Sequence, residues 1–247
     1  MTLAPIQMLW IGPRFSTLER LSVTSFLANG HPVHLYAYAP IEGVPPGTTL
    51  LDAREIYPES AIYTYPEGWG QGSPAAFANQ FRYRVLFDRG GAWSDTDMVC
   101  LRPFHFLAQM PLAIASQRMP PTADEPQPAR FNPCFLRAEA GHPAIGECLQ
   151  ACLAHEPADL KWGMTGPDLT TEVFMRRGLM GSALLPDVVC PVDFWRVSEL
   201  CAKPFVPHAM SHAVHLWNEM WRFAKLDKDA AYPPQSGYEA LKRHYLR

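Results

Sequence analysis

The sequence predicts an α/β fold with a mostly parallel central sheet flanked by helices, on three observations. The first is the order strand, helix, strand within forty residues, the opening of a βαβ unit. The second is a long capped helix in mid-chain that ends on a glycine pair and leads into short extended segments. The third is the alternation of short apolar runs with proline turns through the rest, with no repeat of 20–50 residues that would indicate a solenoid or propeller.

In chain order, Ile6-Gln-Met-Leu-Trp-Ile11 is a short apolar run that suits a buried strand and stops at Gly12-Pro13. Residues 16–29 place Leu18, Leu21, Val23 and Phe26 on the apolar side of a helix, with Gly30 as the stop. His31-Pro-Val-His-Leu-Tyr-Ala-Tyr38 alternates as a strand does. The clearest helix is expected from Pro74 to Arg89, with Ser73 as N-cap and Pro74 at the first helical position, where its missing N–H does no harm. Phe77, Phe81 and Val85 recur every fourth residue, joined by Ala78 and Leu86. Gly90-Gly91 tolerates the left-handed geometry that ends a helix. Residues 98–101 form another extended stretch, and residues 119–133, with five prolines, are expected to be a loop. Further helices are expected over 141–155, 166–177 and 236–246. No linker divides the chain, so one domain over 1–247 is expected.

Composition narrows the function. The 247 residues are 48% apolar and only 18% charged, and 25 are proline, about twice the usual share. A net charge of −3 lacks the basic footprint of a general nucleic-acid binder. No apolar run approaches the ~18 residues of a membrane span, and the first residues lack the pattern of a secretory signal. The expected setting is therefore cytoplasmic, with six cysteines reduced and filling the core. Cys148 and Cys152 lie one helical turn apart but lack two further zinc ligands.

The chemistry concentrates in Asn79-Gln-Phe-Arg82 and Trp93-Ser-Asp95-Thr-Asp97. Two carboxylates two apart on an extended segment share one side, about 6.5–7 Å apart at Cα. That spacing suits a hard divalent cation, Mn2+ or Mg2+, with diphosphate oxygens completing its shell. Asn79 and Arg82 are three apart on one helix face, and an arginine aimed at the same place supplies paired donors to phosphate or sugar oxygens.

Other candidates have bland alternatives. His208, His212 and His215 have the spacing of a helical ligand face, but Ala209 stands where a zinc hydrolase needs glutamate, and Ala213–Trp217 reads as strand. Gly68-Trp-Gly-Gln-Gly72 imitates a phosphate loop without its Lys-Ser/Thr and reads as a turn. Trp217 and Trp221 suit a core. Asn132 and Asp168 could reach a sugar, though Asp168 equally suits a helix N-terminus. The tail Leu241-Lys-Arg-His-Tyr-Leu-Arg247 reads as a solvated helix end, with peripheral membrane contact as the lesser reading.

The run from Phe81-Arg82 through Gly90-Gly91 to Asp95-Thr-Asp97 resembles the DXD sugar-binding region of glycosyltransferase family 32, of GT-A fold and distantly similar to bacterial glucosylating toxins. Leu9-Trp10-Ile-Gly12, Trp162-Gly-Met-Thr-Gly-Pro167 and His215-Leu-Trp-Asn-Glu-Met-Trp221 resemble further blocks of that family, including its capsular-polysaccharide-synthesis-like members. The resemblance implies a metal-dependent, retaining hexosyltransferase that moves a sugar from a nucleotide-sugar, a UDP-sugar, to a glycan or small hydroxyl acceptor. It implies a nucleotide-sugar-binding half over about 1–110 and an acceptor-side half over about 111–247. Trp10 would stack on the base and Asp95 would hold ribose and sugar hydroxyls. Asp97, with Asp95 and His215, would ligate the cation. Arg82 would contact donor sugar or phosphates, with Asn79, Asn218 and Trp221 also at the donor. The family often has aspartate where Asn79 stands. Two other readings are kept: a haloacid-dehalogenase-like phosphatase, whose first motif Asp95-Thr-Asp-Met-Val99 satisfies literally, and a non-catalytic sugar-nucleotide-binding protein.

Overall fold

The computed structural model describes residues 3–122 and 129–246. The strands are β1 (Ile6–Trp10), β2 (Val33–Ala37), β3 (Thr49–Asp52), β4 (Gly91–Ser94), β5 (Met98–Cys100), β6 (Leu112–Arg118), β7 (Ala129–Ala138), β8 (Ala183–Leu184) and β9 (Ala213–His215). Seven form one sheet in the order β3-β2-β1-β4-β7-β6-β8, while β5 and β9 pair apart from it. Within the large sheet only β7 opposes its neighbours, β4 and β6; every other pairing is parallel. The helices are α1 (Thr17–Ala28), α2 (Ala75–Arg89), α3 (Pro143–Leu153), α4 (Pro167–Arg176), α5 (Pro186–Val189), α6 (Ser198–Ala202), α7 (Asn218–Phe223) and α8 (Gly237–Tyr245).

Strand alternation divides the core between the two faces. Ile6 and Met8 of β1 join an apolar layer with α1, the β5–β9 pair and the C-terminal helices, whereas Leu9 joins a layer with α2, α3 and α4. The expected helices are all present, and their end signals act as chemistry requires. Ser16 caps α1 in a reciprocal box with Glu19. Gly90 ends α2 at φ 64°, where a Cβ would lie 2.6 Å from the Ala140 amide, so only glycine fits there. Phe77, Phe81 and Val85 are fully buried, each contributing about 1.5–3 kcal/mol.

Two local expectations are corrected. The helix α2 begins at Ala75 with Pro74 as its cap, one residue later than expected, while the Ser73 hydroxyl accepts from the Ala75 amide at 3.3 Å. Residues 129–133, expected in a loop, belong to β7; residues 123–128 of that loop lie outside the described residues. The β6–β7 register shifts between Ile114 and Ala115: Leu136 faces Ile114 and Asn132 faces Ala115, so Pro133, Cys134 and Phe135 bulge out of that ladder. Proline is compatible with such a bulge because it has no N–H to give. All six cysteines are buried and free, as expected of core fillers.

His31 ties α1's exit to the core. Its Nδ1 lies 3.2 Å from the Ala4 carbonyl, and the Phe104 amide donates to Nε2 at 3.1 Å. The neutral ring protonated on Nδ1 satisfies both bonds. Burial lowers its pKa, and it lowers those of His142 and His212 too. A folded pKa below the unfolded one gives stability that is full above about 6.5 and lost as pH falls through the lowered value. The thermal midpoint should therefore drop between about pH 7 and pH 5, and less steeply in His31→Gln. An equally steep drop in that variant would remove His31 from the account.

Candidate active site

The chain winds outward from β1 through β2 to β3 and then returns to β4 on the other side of β1. In open α/β sheets, ligands bind beyond the carboxyl ends of the strands where the winding reverses in this way. A cavity of about 520 Å³ opens there, lined by the end of β1, α2, the segment after β4, the β6–β7 ladder and the β9–α7 turn. Seven of the eight residues singled out from sequence line it: Trp10, Asn79, Arg82, Asp95, Asp97, His215 and Asn218. The eighth, Trp221, does not. It is fully buried, donates from Nε1 to the Leu216 carbonyl at 2.7 Å and packs edge-on against Tyr238.

Asp95 and Arg82 form the first half of the site. Arg82 is buried on α2 and donates from Nη2 to Asp95 Oδ1 at 2.5 Å and from Nη1 to Asn79 Oδ1 at 2.8 Å. Asn79 in turn donates to the Thr165 hydroxyl at 3.2 Å. Trp93 Nε1 adds a second donor to Asp95 Oδ1 at 2.8 Å, and its ring lies 5.3 Å under the guanidinium. Both ends of the guanidinium are thus engaged. Arg82 holds Asp95 and Asn79 through its two terminal nitrogens. Burial lifts the Asp95 carboxyl above its ordinary pKa, with the Asp97 charge adding and Arg82 opposing.

Asp97 forms the second half. Its Oδ2 accepts from the Asn218 backbone amide at 2.8 Å and lies 3.2 Å from His215 Nε2. The β5–β9 pairing sets this arrangement by placing Met98 opposite His215. Burial acts to raise the Asp97 pKa, but the imidazolium, its hydrogen bond and the Asn218 amide outweigh it, so the carboxyl stays below its usual range. Burial acts to depress His215, and the Asp97 charge overcomes it, holding the ring well above the ordinary histidine pKa.

Asp97 Oδ1 is buried and has no hydrogen-bond partner. A bare buried carboxylate oxygen is costly unless compensated, and a hard divalent cation accepts one such oxygen together with waters and diphosphate oxygens. The donor set therefore fits a cation on Asp97. Asp95 does not turn its Oδ1 to the same point, because Arg82 and Trp93 hold it. Trp10 Nε1 and Arg82 Nε are also buried without partners, so the cavity wall offers two donors and one acceptor to a polar ligand.

Some lining residues were missed from sequence. Trp217 is a buried core aromatic, as read, and it also borders the cavity, with its backbone left-handed at φ 55°, ψ 57°. A bulky residue held in that region is a strained turn of the kind found at functional sites. It is fixed by a 2.7 Å bond from Nε1 to the Val192 carbonyl and by stacking on His215 at 3.8 Å. Glu219 also lines the cavity and pairs with Arg222. At the mouth, Trp69 from the glycine-rich turn stacks on Phe223 of α7 at 3.4 Å, and Arg222 donates to the Gln71 carbonyl at 3.1 Å. Gly70 lets Trp162 approach so closely that a Cβ there would lie 2.3 Å from its ring. Asn132 lines the cavity as anticipated, whereas Asp168 pairs with Arg130 at 2.5 Å and is not among the lining residues. His208 and His212 do not join His215 in a ligand face: His212 Nδ1 lies 3.0 Å from the Pro103 carbonyl.

Residues 54–118, which hold Asn79, Arg82, Asp95 and Asp97, match a family model described as the glycosyltransferase sugar-binding region containing the DXD motif. No curated protein matches the chain significantly. Among solved structures, it is similar to the PaToxG glycosyltransferase, with a TM-score of 0.52 and 17% identity over 73% of this chain and 72% of that one. A transferase carrying two cysteine-to-serine substitutions gives a TM-score of 0.39 and 11% identity, over 69% of this chain and 85% of that one. The fold, a mostly parallel seven-stranded sheet flanked by helices, is that of GT-A-like glycosyltransferases.

Proposed function

We propose that this chain is a metal-dependent glycosyltransferase that moves a hexose from a UDP-sugar to a hydroxyl of a glycan or small acceptor, with retention of anomeric configuration. The observation that carries the reading is Asp97: one oxygen clamped by His215 and Asn218, the other bare and buried, beside an Arg82-oriented Asp95 at the winding reversal of the sheet.

Trp10, at the end of β1, offers its ring and Nε1 to the base. Asp95 accepts sugar hydroxyls with the oxygen that Arg82 leaves free. Asp97 Oδ1 would hold Mn2+ or Mg2+, which when bound neutralises charge growing on the leaving diphosphate. His215 and the Asn218 amide keep Asp97 ionised and aimed before any ligand arrives. Among the described residues, the carboxylates lining the cavity are Asp95, Asp97 and Glu219, and all three are tied to partners. The bare oxygen of Asp97 is assigned to the cation and the second oxygen of Asp95 to sugar hydroxyls, which supports a same-face displacement in which the acceptor proton passes to the departing phosphate. The same tie on Asp95 disfavours a phosphatase that would need it as a nucleophile. Reduced cysteines support a cytoplasmic setting, and no helix among the described residues is long and apolar enough to cross a membrane. Lys242, Arg243 and His244 in the last turn of α8 leave peripheral membrane contact as a secondary proposal.

The test is release of UDP from a panel of UDP-sugars with Mn2+, with and without acceptors, and NMR of the product anomer. Donor-dependent UDP release with retained configuration supports the proposal. Phosphate release from phosphomonoesters, or Mn2+-dependent UDP binding without turnover, overturns it. Within this reading, Arg82→Lys is expected to lower kcat/KM at least about 10-fold, because an ammonium cannot reproduce the planar fork between Asn79 and Asp95. Steady-state kinetics on the variant checks this.

A further inference from the structure

Behind the donor cavity, three side chains from separate elements converge. Cys134 lies in the β7 bulge, Cys190 follows α5, and His215 ends β9. Their donor atoms lie within 4.8 Å of one another, and all three residues are buried; among the described residues this is the cluster of histidine, cysteine and acidic donors that comes together. Cys134 Sγ and Cys190 Sγ are 3.8 Å apart, and Cys190 Sγ is 3.9 Å from His215 Nδ1. A zinc ion with Zn–S bonds of about 2.3 Å and tetrahedral angles sets its two sulfurs about 3.8 Å apart and a sulfur and an imidazole nitrogen about 3.5 Å apart. The sulfur pair already has the first spacing, and the Cys190–His215 pair is within a few tenths of an ångström of the second.

We propose that Cys134, Cys190 and His215 form a buried zinc site, distinct from the hard-cation site on Asp97. Two further observations bear on the ligand class. The histidine's other nitrogen, Nε2, faces Asp97 Oδ2 at 3.2 Å, the carboxylate partnership that fixes the tautomer and orientation of a metal-bound imidazole and leaves Nδ1 as the donor. Two thiolates with a neutral imidazole carry two negative charges, which a divalent thiophilic ion cancels. A monovalent one would leave a net negative charge buried beside Asp97. Binding converts two thiols to thiolates and the protonated His215 ring to its neutral form, so three protons leave per ion, with no change of oxidation state. The fourth position is assigned to water, since among the described residues no further histidine, cysteine or acidic donor joins the cluster. The 3.8 Å separation is well beyond a disulfide's ~2.05 Å, so the pair as it stands is arranged for a shared ion rather than a covalent link.

The full chain, reduced and stripped with a chelator, is titrated with Zn2+ and, as a spectroscopic probe, with Co2+. We expect Zn2+ retained on dialysis at one per chain, about three protons released per Zn2+, and a thiolate-to-cobalt charge-transfer band with Co2+. The band should survive in Asp97→Asn, which disables the proposed donor cation, and vanish in the folded double variant Cys134→Ala, Cys190→Ala. Absence of the band and of proton release from the folded, reduced wild-type chain overturns the site, as does a band that persists in the double variant. Proton release requires no variant, so the proposal stays testable if the double variant does not fold. Loss of transferase activity leaves these readouts untouched, which separates failure of the zinc site from failure of the proposed function.

Discussion

Asp97→Asn is expected to lower kcat for donor turnover at least about 10²-fold, the scale on which single charge-stabilising groups act in transition states. The exchange removes one charge and almost no volume. The new amide keeps an oxygen that can accept from the Asn218 backbone amide at the place where Oδ2 now lies 2.8 Å away. What disappears is the anionic oxygen at Oδ1, together with the charge that holds His215 in its protonated form. Two readouts accompany the kinetics. Mn2+-dependent thermal stabilisation in the presence of UDP should vanish. The His215 imidazole, followed by NMR, should titrate at a lower pH than in the parent. A variant that turns over donor at the parent rate in excess Mn2+ would remove Asp97 from the mechanism.

Trp221→Ala should destabilise the fold by about 3–5 kcal/mol, the range for deleting a buried tryptophan. The ring is fully buried, lies 4.7 Å from Tyr238 and 6.1 Å from Tyr232, and its Nε1 satisfies the Leu216 carbonyl. Truncation leaves both a cavity and an orphaned carbonyl one residue from His215. Trp221→Phe keeps the ring packing and loses one hydrogen bond, about 0.5–1.5 kcal/mol. Denaturant unfolding measures both. Donor KM distinguishes this core role from the donor contact that the motif implied: it should stay near the parent value in Trp221→Phe, and a large rise in KM with unchanged stability would restore the donor role.

The part of this molecule that could be read from its sequence is the part written locally. Phe77, Phe81 and Val85 repeat at helical spacing, Ser16 with Glu19 forms a cap, and Gly90 stands where only glycine fits, so α1 and α2 are specified within a few residues. Arg82 and Asp95 are thirteen residues apart, on a helix and just past the strand after it, so their meeting follows from that short unit. The β6–β7 ladder was not legible because Pro133 and the prolines before it signal a loop. The strand tolerates Pro133 only because three residues bulge there. Nor could the sequence decide between Trp217 and Trp221, four residues apart in one motif. Both rings are buried in the core, but only Trp217, with its left-handed backbone, also borders the cavity, and no residue pattern announces a bulky side chain in that conformation. The same holds for Arg82: motif spacing places the guanidinium, but only the structure shows its terminal nitrogens bonded to Asn79 and Asp95 and its Nε left bare.

The β5–β9 pair also sets a clock during synthesis. Asp97 is buried, yet the groups that compensate its charge lie 118 and 121 residues later in the chain. At elongation rates of about 5–20 residues per second, they leave the ribosome about 6–24 s after Asp97 does. Throughout that interval the emerging chain carries a carboxylate that its own core cannot yet accept. The donor end of the sheet must therefore stay open to water while the β1–α1–β2 unit is already free to form. The part of the molecule read first from its sequence is available to fold first, and the cavity at the end of the sheet is completed last.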